Sequence, residues 1–148
     1  MSIRRILHAT DFSSASGAAF ARAVDLAKSN RAELYLAHVL TPVVPMAGDG
    51  YIAPQVYADI EASARAAAAK RLSSLAARAR KGGATRVQTL LLDGVPHEQI
   101  ARAAKSRRAD MVVIGTHGRT GLAKLFLGSV AGRVVSAAPC PVLTVRGR

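Results

Sequence analysis

Apolar positions along the chain switch between two rhythms, and the alternation predicts strands separated by helices. IRRILHAT (3–10), ELYLAHVL (33–40), RVQTLLLD (86–93), DMVVIG (110–115) and CPVLTV (140–145) read as strands, and ELYLAHVL is short and nearly continuously apolar. That is the pattern of parallel strands buried on both faces. From Ser14 to Asn30 the spacing changes: Phe20, Ala23, Val24 and Ala27 share one face, while Arg22, Asp25 and Ser29 share another. This is the spacing of an amphipathic helix. Pro54 suits the first turn of a second helix. Its apolar seam of Val56, Ile60, Ala64, Ala67, Ala68, Leu72, Leu75 and Ala79 runs on until Gly82 and Gly83 end it. Pro96 opens a third helix reaching Arg107, and a fourth of about ten residues starts at Ser129.

Strands alternating with helices imply an α/β protein: one doubly wound domain over residues 1–148, with a five-stranded parallel sheet and helices on both faces. The expected sheet order is 3-2-1-4-5, which places a ligand at the carboxyl ends of the strands near the switch point. Pro139 and Pro141 cannot donate ladder hydrogen bonds, so the fifth strand is expected at an edge. An exposed apolar edge invites pairing. A homodimer through Cys140 to Val145 follows as an expectation. The segment TPVVPMAGDGYIA (41–53) is long for a connection inside a compact domain, which marks it as functional or mobile.

Composition narrows the class of partners. The chain has 148 residues, half of them apolar, and a single cysteine, so no internal disulfide or CxxC pair is possible. The opening MSIRRILHATDF carries too short an apolar run for a signal peptide or a membrane span, and a cytoplasmic protein is expected. Net charge is +12, which attracts anions. The cations are scattered, however, and the densest run, Arg65 to Lys81, has no interleaved aromatics for base stacking. Dedicated nucleic-acid binding is therefore not expected, and non-specific attraction to nucleic acid stands as one alternative. His8, His38, His97 and His117 lack metal-ligand spacing; His8 and His38 read as buried strand residues with hydrogen-bond partners. Cys140 reads as a small buried hydrophobe.

The chemistry concentrates in IGTHGRTGLAKLFLGS, residues 114 to 129, which leaves the fourth strand and enters the fourth helix. Glycine lets backbone N–H groups approach an anion and tolerates positive φ, and a helix start at Gly128-Ser129 adds free N–H groups and a favourable dipole. Neither the GxxxxGK[ST] loop nor GxGxxG is present. By composition alone, the stretch is equally a structural turn. Asp11, followed by Phe12 and a serine pair, suits a helix cap as well as a ligand contact.

The spacing Gly115-x2-Gly118-x9-Gly128-Ser129 resembles the G-x2-G-x9-G-[ST] pattern of the ATP-binding class of universal stress proteins. DMVVIGTHGRTGLAKLFLGSVAGRVV, APCPVLTV and ILHATDFS resemble the same family, so the similarity spans essentially the whole chain. The resemblance implies a nucleotide site. Asp11 would hold the ribose region, with Ala9 and Thr10 beside the nucleoside; the backbone of Val39 would read adenine. Ile114 and Gly115 would border the ribose, and Gly118, Gly128, Ser129 and Val130 would cradle phosphates, with Arg119 as a polar adjunct. Ala9 departs from the family, many of whose members carry proline there. ATP is the implied ligand, with ADP or AMP as variants and Mg²⁺ or Mn²⁺ at the phosphates. A nucleotide-dependent stress regulator or sensor is the implied function. A slow ATPase or nucleotidyl-transfer enzyme is the alternative, for which His117, Arg119 and Lys124 would be the candidate groups.

Overall fold

A computed structural model describes residues 1–43, 50, 52–117 and 127–147. Five strands are found, β1 (Arg5–Ala9), β2 (Glu33–Leu40), β3 (Arg86–Asp93), β4 (Met111–Gly115) and β5 (Val142–Val145). Four α-helices join them, α1 (Gly17–Asn30), α2 (Pro54–Lys81), α3 (Pro96–Ser106) and α4 (Ser129–Ala137). The sheet is parallel throughout, in the order β3-β2-β1-β4-β5. The expected order, parallel pairing and edge position of the fifth strand all hold.

The three inner strands, β1, β2 and β4, are buried on both faces because each face carries its own layer of helices. Ile6, Leu34, Leu36 and Val113 pack with Phe20, Ala23 and Val24 of α1 and Leu72, Ala76 and Ala79 of α2. Leu7, Tyr35, Ala37, Val112 and Ile114 pack with Ile100, Ala103 and Ala104 of α3 and with Ala131 and Val134 of α4. Alternate residues of a strand point to opposite faces, so a strand with helices on both sides must be apolar at every position. The start of β1 is pinned to its neighbour by Asp110, whose Oδ2 accepts from the backbone N–H groups of Arg4 at 2.8 Å and Arg5 at 2.9 Å. Cys140, expected to be buried, is only half-buried: it packs at the margin of the second layer, where burial still pushes its thiol pKa up.

Two expectations need correction. The amphipathic segment from Ser14 is not one helix: Ser14–Ser16 form a 3₁₀ turn before α1 begins at Gly17. The capping side chain there is Ser13, which accepts from the Ser16 backbone N–H, and not Asp11. The seam along α2 is also only half used. Ala68, Leu72, Ala76 and Ala79 are buried, but no residue from Pro54 to Ala67 is, and Val56 and Ile60 are each 45% exposed. The physical reason is length. Twenty-eight helical residues rise ~42 Å, whereas the eight residues of β3 extend only ~27 Å.

Candidate functional site

The chain reverses its direction of growth across the sheet between β1 and β4, and there the carboxyl ends of the strands open a cleft of about 290 Å³. Ala9, Thr10 and Asp11 at the end of β1, Val39 in β2, Ile114 and Gly115 at the end of β4, and Gly128, Ser129 and Val130 at the start of α4 all line it. These positions are up to 121 residues apart in the chain, from Ala9 to Val130, and only the sheet brings them together. Of the other expected site residues, Gly118 and Arg119 lie outside the described residues, as do Thr120, Gly121 and Lys124.

Each wall has a local cause. Parallel register sets Ala9 beside Ala37 and Ile114, and Gly115 beside Val145. Beyond β1 the chain turns sharply through Phe12, whose φ of 63° is unusual for a bulky residue. Side chains hold that turn: the Phe12 N–H donates to Thr10 Oγ1 at 3.0 Å. The Asp11 carboxylate accepts from the Ser13 N–H at 2.9 Å and the Ser13 hydroxyl at 2.5 Å. Asp11 is thus the anchor of its own turn and a wall of the cleft together.

The two described glycines are needed for close approach, not for positive φ. A Cβ on Gly115 would come within 3.3 Å of the Ala15 carbonyl oxygen, and one on Gly128 within 2.7 Å of the Thr116 carbonyl oxygen. Gly128 has φ −56° and ψ 155°, a conformation open to any residue. Its N–H donates to that same Thr116 oxygen at 2.6 Å, tying the end of β4 to the start of α4.

Among the described residues no side chain caps helix α4, and its first turn has no acidic residue. The N–H groups of Ser129, Val130 and Ala131 have no partner within the helix, as at any helix start. All three residues line the cleft. An anion there meets several N–H groups and the positive end of the helix dipole.

Sequence reasoning missed the opposite wall. Ala37 and His38 of β2 and Pro96 and Ile100 of α3 complete an apolar side facing the α4 start. His38 is buried, and its Nδ1 lies 2.7 Å from the Thr10 carbonyl oxygen. A carbonyl only accepts, so Nδ1 is the donor of this bond. The Phe12 ring lies 4.3 Å from the His38 ring, so the turn, β2 and the cleft wall form one packed unit. His117 also reaches the rim, with Nδ1 2.8 Å from Thr116 Oγ1. The apolar residues of α3 could have been picked out as cleft wall only by knowing the sheet order, because in the sequence they read as ordinary core.

Among the described residues, no group of three histidine, cysteine or acidic side chains could hold a metal. Asp11 is the one carboxylate among the described residues lining the cleft. Such a donor set suits a Mg²⁺-like ion that keeps waters and phosphate oxygens as its main ligands. Among the described residues, no helix is long and apolar enough to cross a membrane.

Comparison with known proteins agrees with this architecture. The family model described as the universal stress protein family matches residues 2–146. A universal stress protein of Methanocaldococcus jannaschii is 33% identical over 145 residues, covering 97% of this chain and 82% of its own length. The crystal structure of a universal stress protein in complex with cAMP superimposes with a TM-score of 0.71 at 26% identity, covering 100% of both chains. The structure of the universal stress protein from Archaeoglobus fulgidus in complex with dAMP gives 0.67 at 27% identity, covering 99% of this chain and 100% of that one. The expected family is therefore the family found: this chain belongs to the universal stress proteins.

Proposed function

We propose that the protein is a cytoplasmic regulator that binds an adenine nucleotide, ATP above all, in the cleft between β1, β4 and α4. One observation carries the reading: the uncapped start of α4 faces an apolar slot walled by Val39, Pro96 and Ile100. The slot accepts a flat base, Asp11 accepts from ribose hydroxyls, and the N–H groups of Ser129 and Val130 receive phosphate. The likeness to relatives solved with cAMP and dAMP supports an adenine nucleotide. Mg²⁺ or Mn²⁺ enters with the phosphates. Asp11 is engaged by Ser13 and serves in positioning, so binding rather than turnover is what the described groups are built for.

Ser129→Glu tests the reading. A carboxylate in the first turn of a helix stabilises the helix, yet here it repels phosphate. Isothermal titration with MgATP should show at least a tenfold loss of affinity with thermal stability unchanged. Undiminished affinity would remove the phosphates from the α4 start.

A second copy of the chain completes the assembly. All four residues of β5 are only partly buried, and among the described residues β5 pairs with β4 alone. Pairing β5 edge to edge satisfies its outer N–H and C=O groups and covers Val142 and Leu143. Sedimentation velocity should give twice the mass of one chain at micromolar concentration; a single-chain mass would rule this pairing out.

A further inference from the structure

On the other side of the β1–α1 turn lies a second concavity that the nucleotide reading leaves unused. It has a volume of about 370 Å³ and sits between the start of α1 and the middle of α2. That volume is within the range of small-molecule sites. Thr10 and Ser16 form the partition between it and the nucleotide cleft. Its charge is one-sided. Lys70, Arg71 and Arg78 line it, with the hydroxyls of Ser13 and Ser74, and no carboxylate does so among the described residues.

The two arginines are held in place. The Arg71 guanidinium carbon lies 5.4 Å from the centre of the Phe12 ring, and that of Arg78 lies 5.1 Å from the centre of the Phe20 ring. A guanidinium held over a ring spends no hydrogen bond there and keeps its N–H donors for an oxyanion. Three other arginines spend donors on the protein itself: Arg80 on the Val87 carbonyl, Arg86 on the Arg31 carbonyl, and Arg65 on Asp93. No carboxylate among the described residues pairs with Arg71 or Arg78, which face the concavity.

Their spacing sets the ligand. Arg71 and Arg78 are two turns apart on one helix, a rise of ~10 Å, with Ser74 between them and Lys70 beside the first. A single phosphate reaches one end of this stripe, whereas a small molecule with phosphates at both ends reaches both. We propose that this groove binds a bisphosphorylated small molecule, with Arg71 and Lys70 on one phosphate, Arg78 on the other and Ser74 on the linking atoms. Phe12 connects the site to the nucleotide cleft, since its ring packs on Arg71 and on His38.

Fructose 1,6-bisphosphate is the probe, with fructose 6-phosphate as the single-phosphate control, both titrated calorimetrically into the whole protein. The bisphosphate should bind at least tenfold more tightly than the monophosphate. Arg78→Gln and Lys70→Gln, both on the exposed side of α2, should each weaken it at least fivefold and melt within a few degrees of the wild type. Ser129→Glu should leave it unaffected, which separates this site from the nucleotide cleft. Equal affinity for the two sugars, wild-type affinity in Arg78→Gln, or loss of the probe in Ser129→Glu would each overturn the proposal. Tighter binding of a short oligothymidylate to the same residues would do so too.

Discussion

Between pH 6.5 and pH 4 the protein should lose about 3 kcal/mol of folding stability through one residue, His8. Its ring is fully buried, and burial lowers its pKa from 6.5 to about 4, against smaller opposing effects of the Val113 carbonyl and Asp11. Nδ1 lies 3.0 Å from the Val113 carbonyl oxygen, so Nδ1 carries the proton and Nε2 has only a lone pair. Nε2 is buried with no hydrogen-bond partner, and the neighbouring ring of Phe20 offers none. Protonating it would bring an unpaired charge into the apolar layer. The folded state therefore binds this proton more weakly than the unfolded chain does. Above pH 6.5 neither state holds it and the stability is fully present; as pH falls the unfolded chain takes it up first, and stability drops until the folded pKa is passed. The loss follows from the size of the shift at 1.36 kcal/mol per unit. Urea unfolding at half-unit pH steps should show this slope in the wild type and a flattened one in His8→Leu. The constant cost of replacing the ring does not affect that comparison; an equal slope in both proteins would clear His8 of the effect.

How much of this was legible beforehand depended on whether a residue's role is local. β2 and β3 have the bounds that their runs indicate, although β3 lies at a sheet edge and leaves Arg86, Gln88, Thr89 and Asp93 exposed. β1 is shorter than its run, Arg5–Ala9 and not 3–10, since Thr10 already belongs to the turn that Phe12 closes. Nothing in the sequence marks Phe12 for a left-handed backbone; the hydrogen bonds of Thr10 and Asp11 impose it. The sites split the same way. Gly128 and Ser129 stand out by spacing, whereas His38, Pro96 and Ile100 become cleft residues only when β2 and α3 are set beside β1. The overestimate along α2 has a related origin. Periodicity shows which face of a helix is apolar, but not how far the sheet beneath it extends.

Gly128→Ala should cost roughly 1–3 kcal/mol, the range for forcing an extra methyl into a filled space. The cost is steric only, because φ −56° and ψ 155° suit alanine. Its Cβ would stand 2.7 Å from the Thr116 carbonyl oxygen, an atom of the backbone that cannot rotate aside. That oxygen accepts the Gly128 N–H at 2.6 Å, and the Thr116 N–H in turn donates to the Val145 carbonyl at 2.9 Å. Relieving the clash means pushing the start of α4 away from β4, which stretches the first bond and widens the cleft. At about 2–4 °C per kcal/mol for a chain of this size, a melting curve resolves the loss. Nucleotide affinity should fall with it, because the N–H groups of Ser129 and Val130 move with the helix. The contrast with Ser129→Glu is diagnostic: that variant keeps its melting temperature and loses ligand, whereas Gly128→Ala loses both. A Gly128→Ala protein that melted with the wild type would show that α4 yields freely at its start. A helix start that yields so easily could not hold phosphate by geometry, and the lost affinity in Ser129→Glu would then have to come from charge alone.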